Sequence, residues 1–261
     1  MSRTFSEAVV RARAALGGGY HLLTLEAPAI AAAAEPGQFV LLSPRGARDP
    51  GVDPLLPRPF SLVERDAAQG TVEIFFREVG QGTALLAAVP LETPLRILGP
   101  LGKPWPAPEG EAFVVGGGVG MPPILDLAAT LAAAGQPVRA FYGGRGAEHI
   151  HLVDRFEGAR VPLQISTDDG SVGHAGRVTE PLAEALRACA GAATVYACGP
   201  EPMLAAVAQV AKAAGRRAWL SLEAPMACGV GVCRGCAVQV GEGYQMVCVD
   251  GPVFDASEVY P

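Results

Sequence analysis

Lysine is almost missing from this chain: it occurs only at Lys103 and Lys212, and no run of basic residues appears anywhere. With a formal net charge of −6 and a pI near 5.3, the chain offers no electrostatic footprint for a phosphate backbone, which argues against nucleic acid as a partner. Long apolar runs are missing too. The alanine-rich stretches 31–34 and 128–134 fall far short of the roughly 20 residues that cross a bilayer, and no membrane association is expected. Met1–Glu7 is polar with no apolar stretch behind it, so no export signal is expected and a cytoplasmic location is. In that compartment six cysteines are not expected to pair as structural disulfides. A tight cluster of them points instead to metal or redox chemistry.

Half of the 261 residues are hydrophobic, enough to bury two cores and leave room for a small third module. The 33 glycines and 23 prolines stay below the rough 25–30% that marks disorder and read as tight turns. Short β-branched or apolar runs fill the first part: Ala8–Ala15 and His21–Leu25 around Gly17-Gly18-Gly19, then Gln38–Leu42, Phe60–Glu64, Thr71–Glu78 and Pro94–Leu98. Six antiparallel strands at this spacing predict a small closed β-barrel over residues 1–105. The proline-rich stretch Lys103–Pro108 predicts a stiff connector. Beyond it strands and helices alternate: Ala112–Val115, Pro123–Ala134, Val138–Tyr142, Leu163–Ser166, Thr179–Cys189, Thr194–Ala197 and Pro202–Ala214. That pattern predicts a parallel α/β domain over 106–222. A cysteine-rich module over 223–261 closes the sequence.

The strongest local signal is Cys228-x4-Cys233-x2-Cys236-x11-Cys248. The first three have the plant-type spacing of [2Fe–2S] ligands, with a fourth supplied later. Gly229, Gly231 and Gly235 let such a loop turn sharply and aim its N–H groups at sulfur. A structural zinc site with four thiolates is the alternative, although zinc modules usually pair their cysteines in two short knuckles. Cys189, on an amphipathic helix, reads as a core residue. Cys198 ends a strand, where open α/β sheets bind ligands, and is expected beside a nicotinamide.

Gly116–Gly120 lies between a strand and a helix, the context of a dinucleotide phosphate site. The string departs from G-x-G-x-x-G at Met121. No acidic residue closes the second strand, where Gly143-Gly144-Arg145 stands, so NAD and NADP both remain open. In the barrel, Arg58-Pro59-Phe60-Ser61 starts a strand: an arginine there can grip a pyrophosphate and a serine hydroxyl can reach a flavin ring. Gly80-Gln81-Gly82-Thr83 follows another strand and can offer N–H groups to phosphate. His149-x-His151 reads as a surface feature rather than a metal site, His21 and His174 as isolated, and Trp105 and Trp219 as packing residues.

Taken in this order, these motifs resemble the ferredoxin–NADP reductase superfamily. More narrowly, the C-terminal cluster motif, Glu223-x-x-Met226-x-Cys228-Gly229-x-Gly231-x-Cys233, Ser166–Ser171 and Asp250–Phe254 resemble the electron-transfer subunits of NAD-dependent (class 1B) dihydroorotate dehydrogenases. The resemblance implies FAD on the barrel, with Arg58 on the pyrophosphate, Pro59, Phe60 and Ser61 along the flavin, and Gly80, Gly82 and Thr83 on the phosphates. It implies NAD lined by Gly117, Gly118 and Gly120 with Asp169 and Cys198 nearby, and a [2Fe–2S] cluster on Cys228, Cys233, Cys236 and Cys248. Ser61 and Cys198 are then the side chains expected at the reacting rings. It further implies an FMN-containing catalytic partner subunit in a heterotetramer of two of each, serving pyrimidine biosynthesis. Gly99–Pro104 departs from the family pattern, which has a further glycine and an aromatic there. A sibling subunit of a bifurcating NADH-dependent ferredoxin–NADP or sulfide oxidoreductase shares this arrangement, and a non-enzymatic redox sensor is the reading from another class.

Overall fold

The computed structural model describes residues 3–261. The first part carries six strands, β1 (Thr4–Gly17), β2 (Tyr20–Glu26), β3 (Phe39–Gly46), β4 (Arg58–Asp66), β5 (Thr71–Arg77) and β6 (Pro94–Leu101). They close an antiparallel barrel in the order β1-β2-β5-β4-β3-β6, with β6 pairing back onto β1 through Phe5↔Leu98 and Glu7↔Arg96. Closure removes both open sheet edges. The inward residues Val10, Leu23, Leu25, Leu42, Leu62, Ile74 and Ile97 are 0–1% exposed and pack as one core. Two short helices missing from the sequence reading, α1 (Pro28–Ala33) and α2 (Gln81–Ala88), stand between strands.

The second part alternates as expected: β7 (Glu111–Gly117), α3 (Pro122–Ala133), β8 (Val138–Gly144), α4 (Val153–Gly158), β9 (Leu163–Thr167), β10 (His174–Ala175), α5 (Thr179–Ala188), β11 (Ala193–Cys198), α6 (Glu201–Ala213) and β12 (Arg217–Ser221). The central strand reads Ala-Phe-Val-Val without polar alternation because both faces are covered: Val114 packs with Ile124 and Leu131 of α3, and Phe113 and Val115 with Leu182 of α5 and Val207 of α6. Each such side chain contributes on the order of 2 kcal/mol by leaving water.

The cysteine-bearing segment adds a hairpin, β13 (Ala237–Val240) with β14 (Gly243–Met246), then β15 (Val253–Asp255) and α7 (Ala256–Val259). It is not closed on itself. β15 pairs antiparallel with β12 and becomes the seventh strand of the nucleotide-domain sheet, in the order β10-β9-β8-β7-β11-β12-β15. The boundary expected at residue 223 therefore opens an excursion whose end returns to the preceding domain.

The barrel and the α/β domain are bolted together. Arg65 of β4 donates to the Asp126 carboxylate of α3 (Nε to Oδ2 3.0 Å, Nη2 to Oδ1 2.9 Å) and to Ala34 O (2.5 Å). Burial pushes the Asp126 carboxyl above its ordinary value against the pull of Arg65. Arg155 of α4 reaches Glu64 and Glu73 of the barrel. The proline-rich connector is part of this joint: Trp105 is 7% exposed, donates Nε1–H to Pro123 O (3.2 Å) and meets Tyr196 edge-on at 5.6 Å.

Candidate functional site

One cavity of about 1660 Å³ runs along the joint of all three parts. On the barrel side it is lined by Arg58, Pro59, Phe60 and Ser61 of β4, by Phe39, and by Gly80, Gln81, Gly82 and Thr83 at the start of α2. In the sequence reading these residues follow a strand and no helix is assigned to them. The first N–H groups of α2 have no intrahelical acceptor and form a ready anion site. The Arg58 guanidinium lies over it, so near that a Cβ on Gly82 would sit 2.9 Å from Arg58 Nε. A pyrophosphate fits that cradle by charge and by shape. The Thr83 hydroxyl accepts from Val79 N (2.9 Å) and donates to Gly80 O (2.9 Å), so it fixes the turn and leaves the Thr83 N–H for phosphate. Phe60 divides itself between the cavity and the barrel core, where it meets Phe76 at 5.6 Å.

The nucleotide side begins at Gly117, Gly118 and Gly120, all in the cavity wall. Gly118 has a φ of 53°. Gly120 is forced by contact, since a Cβ there would lie 2.5 Å from Cys198 O. Pro122 and Pro123 open α3, so this helix start offers few donors and the glycine turn itself must face the phosphates. Gly143, Gly144 and Arg145 continue the wall, followed by Ser166, Asp168, Arg177 and Thr179. Ser166 is 1% exposed and its Oγ has no hydrogen-bond partner in the protein, which marks a polar atom awaiting a ligand.

Two expected residues sit elsewhere. Asp169 does not line the cavity: its carboxylate accepts from Ser171 N (2.9 Å) and Ser171 Oγ (2.6 Å), and those bonds hold its pKa low. The neighbouring Asp168 lines the wall instead. Cys198 ends β11 as expected, but its side chain is 1% exposed and burial pushes its thiol well above the ordinary range. The cavity is lined beside it by Gly199, Pro200, Ser221 and Glu223. Glu223 is a residue that the motif reading quoted without a role; burial raises its carboxyl pKa. His149 and His151 are not a bare surface pair. His151 packs on Tyr20 (ring centroids 4.4 Å), which stacks on Phe75 at 5.4 Å; Tyr20 and His149 both line the cavity.

At its third end the cavity reaches Met226, Val238 and Val247. Met226, Val247, Cys236 and Cys248 share an apolar cluster with the barrel residues Phe39, Leu41 and Leu101. Gly229, at φ 67°, lets the loop press on the barrel, since a Cβ there would lie 2.7 Å from Leu41 Cδ1. The amides aim at sulfur as expected: Val230 N and Cys233 N donate to Cys228 Sγ (3.5 and 3.4 Å), and Gly235 N to Cys233 Sγ (3.4 Å). The Cys233 and Val230 amides bring the Cys228 thiol down to about 6. Burial and the adjacent Cys236 push Cys248 up to about 12. Cys233 is exposed, and among the described residues no three histidine, cysteine or carboxylate side chains are placed to hold one metal ion. An all-thiolate set ringed by N–H donors fits an iron–sulfur cluster, whose sulfurs accept such bonds. Cys189 is half-buried where α5 ends, 3.8 Å from Glu111 Oε2. The Gly99–Pro104 loop leaves the cavity and pins the cysteine segment, Lys103 N donating to Gly251 O at 2.7 Å.

The family model described as the iron-sulfur cluster binding domain of dihydroorotate dehydrogenase B matches residues 223–260, and that of the oxidoreductase NAD-binding domain matches 114–209. The chain is similar to the structure of an NADH-dependent reduced ferredoxin-NADP oxidoreductase, with a TM-score of 0.86 and 26% identity, covering 97% of this chain and 90% of that one. A ferredoxin reductase of carbazole 1,9a-dioxygenase shares the fold at a TM-score of 0.68 and 22% identity, over 83% of this chain and 67% of that one. FAD, NAD and a [2Fe–2S] cluster, the set read from the sequence, agree with these matches. Among curated relatives, the dihydroorotate dehydrogenase B (NAD(+)) electron transfer subunit of Geobacillus thermodenitrificans is 42% identical over 91% of each chain. Its homolog in Aquifex aeolicus is 36% identical over 94% of each. At this identity and coverage, the chain belongs to the family of dihydroorotate dehydrogenase B electron transfer subunits.

Proposed function

We propose that this chain exchanges hydride with NAD(H) in the large cavity and passes single electrons, through its cysteine module, to or from the FMN of a dihydroorotate dehydrogenase catalytic subunit in the cytoplasm. The observation that carries this is continuity: one cavity touches Arg58 and Ser61, then Gly117 and Gly118, and ends at Val247, covalently next to Cys248. Bound FAD supplies the chemistry that joins a two-electron donor to a one-electron acceptor. The residues supply everything else. Arg58 and the α2 N–H groups hold the pyrophosphate. Ser61, facing the cavity, orients the ring. Ser166 and Asp168 reach the sugar of the nicotinamide dinucleotide, Asp168 rather than the neighbouring Asp169 being the acid in the cavity wall. Met226, Val247 and Phe39 keep water out of the space between flavin and cluster.

The three-part division at 105 and 222 follows from the same arrangement, with β15 lent back to the second part. No helix among the described residues is long and apolar enough to cross a membrane. The partner is a catalytic subunit in a complex of two of each. The test is anaerobic titration of the purified protein with NADH, followed by flavin absorbance and cluster EPR, and then addition of the catalytic subunit with dihydroorotate. Reduction of both centres and dihydroorotate-dependent formation of NADH support the proposal. A flavin that is reduced while a loaded cluster stays oxidised overturns it. Reduction of NADP by reduced ferredoxin in place of dihydroorotate oxidation would assign the chain to the sibling reading, whose arrangement the ferredoxin-NADP oxidoreductase shares.

A further inference from the structure

A second, smaller hollow of about 360 Å³ touches Cys248 and is lined by Arg3, Pro100, Gly102, Lys103 and Val249. Its charged groups are both cations, in a chain whose net charge is −6 and which has two lysines. Among the described residues neither cation lies within ion-pair distance of a carboxylate. Asp250, two residues beyond Cys248, does not line the hollow and accepts from Met246 N at 2.8 Å.

Lys103 is held beside this edge of the cysteine module by its backbone. Its N–H donates to Gly251 O at 2.7 Å, three residues beyond Cys248. The preceding Gly102 has a φ of 75° and no room for a Cβ, which would meet Pro252 Cδ at 2.4 Å. Gly102 O accepts from Gln38 Nε2 at 2.7 Å. The loop that departs from the family pattern thus anchors the backbone of a lysine at the hollow that Cys248 also lines.

We propose that Lys103, assisted by Arg3, is a positioning residue for the charge of the cluster: it stabilises the reduced form and raises the cluster's midpoint potential. The inference rests on the assignment of Cys248 as a ligand. One electron enters the cluster from the flavin, which NADH refills, and no covalent bond of the protein changes. The thiolate-held site becomes more negative by one charge, and a cation on its flank favours that state by Coulomb attraction. Both side chains are exposed, so salt screens the effect and keeps it modest.

The test is an EPR-monitored redox titration of the holoprotein at low and high salt, with iron content measured for each variant. Lys103→Gln lowers the midpoint, shifting the oxidised-to-reduced ratio at fixed potential by about threefold to tenfold; tenfold is about 59 mV for one electron. Lys103→Arg restores it, Arg3→Gln combined with Lys103→Gln lowers it further, and high salt narrows the gaps. A fully iron-loaded Lys103→Gln with an unmoved midpoint at low salt overturns the role of Lys103. A wild-type protein without an iron-linked EPR signal overturns the ligand assignment itself, which keeps the two failures apart.

Discussion

The flavin side of the large cavity is built from side chains on regular strands and one helix start, whereas the cysteine loop is built almost entirely from backbone. Arg58, Ser61 and the opening of α2 are positioned by a closed barrel whose inner residues are sealed from water. In the loop, Cys228 and Cys233 are addressed by the amides of their own neighbours, and Gly229 and Gly231 take positive φ values. Precision therefore comes from the scaffold in one case and from the ligand contacts themselves in the other. The barrel site is expected to survive loss of one contact with a measurable decrement, while the loop depends on its metal to complete its order.

The sharpest way to break that contrast is Cys236→Ser. The substitution exchanges a thiolate for a poorer ligand, and we expect the iron content to collapse while FAD stays bound and NADH still reduces a small dye. Dihydroorotate-linked turnover of a complex shown by sizing to be intact should vanish. Retention of that turnover without iron would show that electrons bypass the loop.

A large effect of another kind is expected at the joint. Arg65→Met leaves the Asp126 carboxylate buried without its partner, at a cost of about 3–5 kcal/mol, read as a lowered Tm of the flavin-loaded protein. An unchanged Tm would mean that the Arg65–Asp126 pair contributes nothing to holding the barrel on the α/β domain.

Arg58→Ala should weaken FAD by roughly tenfold to a hundredfold, the worth of a charge-assisted contact of about 1.5–3 kcal/mol, measured by flavin release on dilution. Ser61→Ala should cost less. A neutral hydrogen bond of about 0.5–1.5 kcal/mol predicts slower reduction by NADH in stopped flow at unchanged stability. Rates equal to wild type would remove Ser61 from the site.

The smallest effect concerns Glu223, whose carboxyl pKa is raised by burial above its ordinary value. The folded protein then holds this proton more tightly than the unfolded chain. Its stabilising contribution is complete below the ordinary carboxylate range and is lost as pH rises through the raised folded value. Glu223→Gln should therefore gain in Tm relative to wild type as pH rises, and a pH-independent difference would contradict the burial argument.

Most of the fold was readable because the two periodicities differ so clearly. Alternating residues such as Leu23 and Leu25 announce a barrel wall, and the unbroken Phe113–Val115 run announces a strand covered on both faces. The helices α1, α2 and α4 were not readable, since six to eight residues carry too little periodicity to stand out. The site was legible at the level of segments and less so at the level of side chains. Asp168 and Asp169 are chemically alike, and only the turn closed by Ser171 decides which faces the cavity. Cys198 occupies the strand end where ligands bind, yet alternation along β11 turns its thiol inward. His149 and His151 looked peripheral because their partner, Tyr20, is far away in sequence and close only in the folded barrel.

The pairing of Ser221 with Val253 has a consequence for how this module travels between proteins. Residues 222–252 leave and re-enter the sheet at adjacent strands, so the cysteine segment is a graft set into a hairpin, anchored at both ends. Its loop closure is already settled by the scaffold, and lengthening the graft adds only slowly to the entropic cost. Such an insertion can grow, shrink or be replaced by a plain turn while β12 and β15 stay paired, and a shuttling arm swinging on one tether is ruled out by the same geometry.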